Sequence, residues 1–156
     1  MAVTVRLSRG MFALVDDSDA ERVLAHKWSV FVAQNGTPYA VRVVAKKSVY
    51  LHRWLMGAGQ GQKVDHRSGD TLDCRRENMR LCTQAENNRN RRPCGIRTLK
   101  GIRARPNGRW IAVIGANGGT IHLGTFDTPE AAARAYDAAA LKFHGEFARL
   151  NFGDAA

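Results

Sequence analysis

Between positions 100 and 145 the chain admits few folds. Ile102 and Ala104 alternate with Arg103 and Arg105, the period-two signature of a strand with one apolar face. Pro106-Asn107-Gly108 breaks the pattern as a turn, residues 110–114 resume it, Asn117-Gly118-Gly119 turns the chain again, and residues 120–126 supply a third strand. Thr128-Pro129-Glu130 then carries three helix-start signals in a row. They are an N-cap hydroxyl, a proline where no amide proton is needed, and an acid near the positive end of the helix dipole. The helix is predicted to run to about position 144, with Gly145 as its stop. Ala132, Ala135, Tyr136, Ala139 and Phe143 fall on one stripe, and so many alanines let a helix sit close on a sheet. Glu130 and Arg134 are spaced to pair on its outer face, worth a few tenths of a kcal/mol. The segment therefore reads as a three-stranded antiparallel sheet packed on one α-helix, with the stripe as core.

Upstream the signals are shorter. Residues 1–62 read as strand-rich. Ser18-Asp19-Ala20-Glu21 has the capping-box pattern and predicts a helix over 19–26. Strands are expected at 28–33, 39–44 and 49–54, joined by Asn35-Gly36 and by Lys46-Lys47. Basic side chains on these strands (Arg42, Lys46, Lys47, Arg53) fit either a DNA-facing surface or a solvated face of a plain structural sheet. In residues 63–92, Val64 opens a brief strand, 70–77 is a charged loop, and 79–82 is a short strand. Thr83-Gln84-Ala85-Glu86 is a second capping box, which places Asn87 in an early turn of a helix running to about 90. Arg92-Pro93-Cys94-Gly95 ends it. The expected organisation is α+β: a domain over 1–92 with its compact core at 63–92, a linker over 93–99, and a second domain over 100–153.

The 156 residues carry 24 Lys+Arg against 14 Asp+Glu, a net charge of +10, which points to a polyanionic partner or to a basic soluble protein without one. The surplus concentrates between positions 87 and 105, where Arg89, Arg91, Arg92, Arg97, Lys100, Arg103 and Arg105 stand with no acid among them. Arginine's forked donor set suits phosphate and guanine edges. The three cysteines, Cys74, Cys82 and Cys94, form no C-x-x-C pair, which argues against a zinc knuckle. With no secretory signal and no long apolar run, the expectation is a reduced cytoplasmic setting, no membrane association and no implied protein partner.

Asp65, His66, Asn78 and Asn87 are the candidate chemical group. Phosphodiester hydrolysis needs an activated water and relief of charge on the phosphate. A neutral histidine takes a proton near pH 7, and a carboxylate with an amide oxygen makes hard ligands of the kind that hold Mg2+. Taken singly, each residue is better explained as structural.

Together, Val64-Asp65-His66, Glu77-Asn78-Met79-Arg80-Leu81-Cys82-Thr83 and Glu86-Asn87-Asn88-Arg89-Asn90-Arg91 resemble the HNH endonuclease motif, specifically its phage and intron homing branch. Tyr50-Leu51-His52-Arg53 and the loop around Asp73-Cys74-Arg75 share the likeness, with Cys74 where an Asn is expected. The resemblance implies a ββα-metal centre with one divalent ion, Mg2+ or Mn2+. Asp65 and Asn87 would be its ligands, His66 the general base, and Asn78 the catalytic residue that braces the loop and orients His66. It also implies an enzyme, an endodeoxyribonuclease acting on double-stranded DNA in a bacterial or phage-infected cell.

Lys100-Gly101-Ile102-Arg103-Ala104-Arg105, Gly108-Arg109-Trp110, His122-Leu123-Gly124-Thr125-Phe126 and Glu130 through Asp137 resemble the plant Apetala/ethylene-response-factor DNA-binding domain. That resemblance implies a sheet that enters the major groove. Arg103, Arg105, Arg109 and Trp110 would be its DNA contacts, and Trp110 equally suits the core. Arg53, Arg89, Arg91 and Arg92 complete the expected DNA-binding set. The rival reading is a catalytically inactive, sequence-specific DNA-binding regulator derived from such a nuclease.

Overall fold

The computed structural model describes residues 1–93 and 99–153. The chain divides into two compact units, Met1–Asn87 and Asn88–Ala156. The expected linker at 93–99, including Cys94, falls mostly outside the described residues.

In the first unit, β1 (Ala2–Arg6) and β2 (Phe12–Asp16) form an antiparallel hairpin. Helix α1 (Asp17–Leu24) follows directly. It starts two residues before the position that the capping box predicts, and no side chain caps it. Asp16 accepts the Arg76 amide at 2.7 Å, and buried Asp19 accepts both Arg76 and Arg22. Strands β3 (Ser29–Val32), β4 (Pro38–Val44) and β5 (Lys47–Tyr50) form the second sheet. The β4–β5 turn is Ala45-Lys46, one residue earlier than expected, with φ of 46° and 64°, which is the two-residue geometry that follows strand twist. The expected strand over 49–54 is half right: β5 ends at Tyr50, and α2 (Leu51–Leu55) replaces the rest, burying Leu51 and Leu55.

Strands β6 (Lys63–His66) and β7 (Met79–Cys82) pair antiparallel, and α3 (Gln84–Asn90) follows. Its capping box is made: Thr83 N donates to Glu86 Oε2 at 2.7 Å, and Glu86 N donates to Thr83 Oγ1 at 3.3 Å. The charged segment at 70–77 is more than a loop. Leu14 N donates to Leu72 O and Cys74 N to Leu14 O, so it lies beside β2 and drops Cys74 into the core. That core runs from Val5, Ala13 and Val15 through Val23, Trp28 and Leu51 to Val64 and Met79.

In the second unit, β8 (Ile102–Ala104), β9 (Trp110–Ala116) and β10 (Gly119–Phe126) form an antiparallel meander in the order β10-β9-β8, and α4 (Pro129–His144) packs on one face. Asn117 and Gly118, with φ of 52° and 76°, make the β9–β10 turn. Thr128 caps α4 by accepting from Ala131 N at 3.2 Å. The buried stripe is wider than predicted, taking in Ala133 and Ala140, and the Arg134 guanidinium lies over the Phe152 ring at 5.1 Å. The α+β class and the sheet packed on one helix are thus as the sequence indicates.

Candidate nucleic-acid interface

The register of the second sheet sorts its side chains. Ile102 pairs with Ala112, and both belong to the cluster that packs on Ala132 and Ala133 of α4. Arg103 pairs with Ile111, one step along, so its side chain stands on the face away from the helix. Arg103 and Arg105 are exposed. Exposed Thr120, His122 and Thr125 share that face, because they pair with Gly115, Val113 and Ile111. Simple alternation along β10 does not locate them. A bulge between His122 and Gly124 leaves Leu123 on the core side with Ile121 and turns Thr125, which alternation would send to the core, onto the open face.

Trp110 is on the other side. It pairs with Ala104 and Phe126 and packs, partly buried, against the Ile102–Ala112 cluster. Arg109 lies at the sheet's end, with Nε 3.0 Å from Asp127 Oδ1 and Nη2 donating to Thr125 O at 3.3 Å. Arg91 and Arg92 are exposed, and Arg89 is half-buried.

In the first unit Arg53 is tied to the main chain. Its guanidinium donates to the carbonyls of Gln62, Ala58 and Gly59 at 2.6, 3.2 and 2.9 Å, which closes the turn after α2.

Strand pairing sets the geometry around Asp65. Asp65 lies opposite Arg80 across β6–β7, and Asp65 Oδ2 accepts from Arg80 Nε at 2.9 Å and Nη2 at 2.7 Å. Both residues are buried. His66 follows, also buried, with its ring 5.1 Å from that of His52 and edge-on to it. Burial lowers the His66 pKa, opposed by Asp65, Asp70 and Asp73. His52 is pushed down to about 3 by burial, by His66 and by Arg53, and it sits among Tyr39, Tyr50 and His66. Asn78 anchors the loop after β6: its Nδ2 donates to Asp73 O at 2.8 Å, its Oδ1 accepts from Ser68 N at 2.9 Å, and its carbonyl accepts from Arg67 N. Asn87 is half-buried on α3; its amide donates to Thr83 O, and it lies against the Cys82 thiol.

Strand pairing therefore brings Asp65, His66 and the Asn78 loop together. The Asp65 carboxylate shares its buried space with the Arg80 guanidinium, which donates twice to its Oδ2. Among the described residues, no group of three or more His, Cys, Asp or Glu is arranged to hold a metal. Cys74, fully buried with its thiol pushed up to about 12, has the character of an inert core residue.

Comparison with known proteins divides the chain in the same way. Residues 98–146 match the family described as AP2 domain, and residues 49–89 match, weakly, the family described as HNH endonuclease. Dehydration-responsive element-binding protein 1B of Oryza sativa is 51% identical over 65 residues, 40% of this chain and 29% of the relative. Ethylene-responsive transcription factor ERN1 of Medicago truncatula is 47% identical over 66 residues, 41% of this chain and 25% of the relative. An AP2/ERF and B3 domain-containing protein of Oryza sativa is 53% identical over 57 residues, 36% of this chain and 16% of the relative. The chain thus spans less than a third of the length of each of these relatives. The three-stranded sheet packed on one helix in the second unit fits the AP2 domain family that residues 98–146 match. The expectation of an enzyme is corrected: the matched relatives are plant transcription factors and element-binding proteins, not hydrolases. These relatives lend no support to a phage or intron homing origin. No described helix is long and apolar enough to cross a membrane.

Proposed function

We propose that this chain binds double-stranded DNA through its AP2 domain and acts as a DNA-binding regulator. Its first unit keeps the strand–strand–helix pattern of an HNH nuclease as a folded body without a hydrolytic role. The observation that carries the reading is the sheet face turned away from α4. There Arg103 stands exposed on one side of the central strand β9 and Thr125 and His122 on the other, with Arg105 just beyond β8. A twisted antiparallel sheet of this width suits the major groove, and arginine is the side chain best suited to guanine edges and phosphates. The net charge of +10 supplies the long-range attraction. The names of the relatives, element-binding proteins and transcription factors, point the same way, toward control of expression and a nuclear rather than a cytoplasmic setting.

Trp110 and Arg53 are read as structural here, since one packs under the sheet and the other closes a turn. Arg109, held to Asp127, contributes at the edge of the face.

Fluorescence anisotropy on labelled duplex DNA tests the proposal. Wild-type chain should bind with strong salt dependence. Arg103→Ala with Arg105→Ala should weaken binding and lower the salt slope by about 0.9 for each phosphate contact removed. Circular dichroism should show the fold of the double variant unchanged. Wild-type protein that binds no duplex at low salt would sink the reading.

A further inference from the structure

Lys100 precedes β8, yet its side chain reaches back to the segment before residue 93. Its Nζ donates to the main-chain carbonyls of Arg89 and Arg91, the latter at 2.7 Å. Its own main chain is held from both sides by Asn151: Lys100 N donates to Asn151 Oδ1 at 2.6 Å, and Asn151 Nδ2 donates to Lys100 O at 3.1 Å. Asn151 is anchored in turn on Asp137, a buried residue of α4, whose Oδ1 accepts from Asn151 N at 2.8 Å and from Asn151 Nδ2 at 3.0 Å. The next residue, Gly101, lies under the Tyr136 ring, and its carbonyl accepts Val113 N at 2.8 Å. An unbroken series of hydrogen bonds therefore runs from the α4 core to the Arg89 and Arg91 carbonyls. His144 reports the same proximity, because Arg89 and Lys100 both add to the lowering of its pKa that burial begins.

We propose that Lys100 is a positioning residue for DNA contact: it holds the Arg91-Arg92 pair against the AP2 domain, so that this pair and Arg103-Arg105 meet one duplex as a single surface. The inference rests on the DNA-binding reading above. Lys100 acts through its neighbours: its ammonium satisfies two carbonyls, while Arg91 and Arg92 are exposed residues. A basic segment already held in place avoids the ordering cost that a loose one meets on binding.

The test uses the full chain and a short fluorescein-labelled duplex of mixed sequence over a salt series. Lys100→Met should weaken binding about tenfold and lower the salt slope by about 1.8, the worth of two phosphate contacts. Arg91→Ala with Arg92→Ala should do the same alone, yet cost no more than about twofold when added to Lys100→Met, because coupled sites are not additive. Asn151→Ala, which removes no charge, should also lower the slope, and Lys100→Arg should restore it. Independent, multiplying effects would overturn the proposal. So would a slope change of only about 0.9, the mark of a single direct phosphate contact by Lys100. Limited trypsin digestion probes the clamp without DNA: cleavage after Arg91 should speed up in Lys100→Met, and unchanged cleavage would overturn the clamp alone. Wild type that fails to bind duplex would overturn both this inference and the DNA-binding reading.

Discussion

Gly101 lies so close under Tyr136 that a Cβ at position 101 would fall 1.8 Å from the ring's Cδ2. Its φ of +76° is a conformation that side-chain-bearing residues rarely adopt. Gly101→Ala should therefore destabilise the second unit by roughly 3 kcal/mol, summing left-handed backbone strain and a clash against a buried ring. Urea denaturation checks it, and a loss below about 1 kcal/mol would contradict the packing described.

The Asp65–Arg80 pair should behave as a buried ion pair. Arg80→Met leaves a buried carboxylate without its guanidinium, and the expected cost is about 3–5 kcal/mol. Asp65→Asn combined with Arg80→Met should cost clearly less than the two single changes summed, since no uncompensated charge remains. Chemical denaturation of the full chain gives both numbers, and additive losses would show the pair to be uncoupled.

Acid should destabilise the first unit through His52. Its pKa falls from 6.5 to about 3, set by burial first, then by His66 and Arg53, within a ring formed by Tyr39, Tyr50 and His66. A base with a depressed folded-state pKa binds its proton more readily when unfolded. Its contribution is therefore fully present above about pH 6.5 and is lost as pH falls from there toward 3. Well below 6.5 the loss approaches about 1.4 kcal/mol per pH unit for this one group, and His66, shifted in the same direction, adds to it. Denaturation midpoints measured at pH 7.5 and 5.0 should diverge, and His52→Gln should narrow the gap. An identical gap in the variant would remove His52 as the cause.

Asn78 should matter to the fold whatever the first unit does. Asn78→Ala strips the bonds to Asp73 O and Ser68 N and leaves both groups to find water. A loss of about 2–3 kcal/mol is expected, with the Ser68 amide exchanging faster. Unchanged exchange at Ser68 would show that the loop does not depend on Asn78.

Local signals were legible wherever the chemistry is local. The capping box at Thr83 and Glu86, the N-cap at Thr128, the Asn117-Gly118 turn and the arginines alternating along β8 all act within a few residues of chain. The four residues of the HNH pattern were equally legible as types at a spacing. Their partners were not. Arg80 reaches Asp65 only because β6 and β7 pair in one register, and a one-residue slip would send it to the other face. Arg76 reaches Asp19 across 57 positions, and no local pattern announces it.

The order of residues by itself determined the α+β class, the sheet and helix of the second unit, and the concentration of arginine that frames a DNA-binding reading. Tertiary structure decided what each group has left to offer. It placed Trp110 under the sheet, tied Arg53 to three carbonyls, matched Asp65 with Arg80, and drew Lys100 back to Arg89 and Arg91. The physical reason is that a buried charge or donor must be satisfied by whatever the fold brings within about 3 Å, and that neighbour comes from elsewhere in the chain. The feature that most narrowed the fold, the strand-turn-strand run from position 100, kept its shape, and only its packing showed which of its faces is open to a partner.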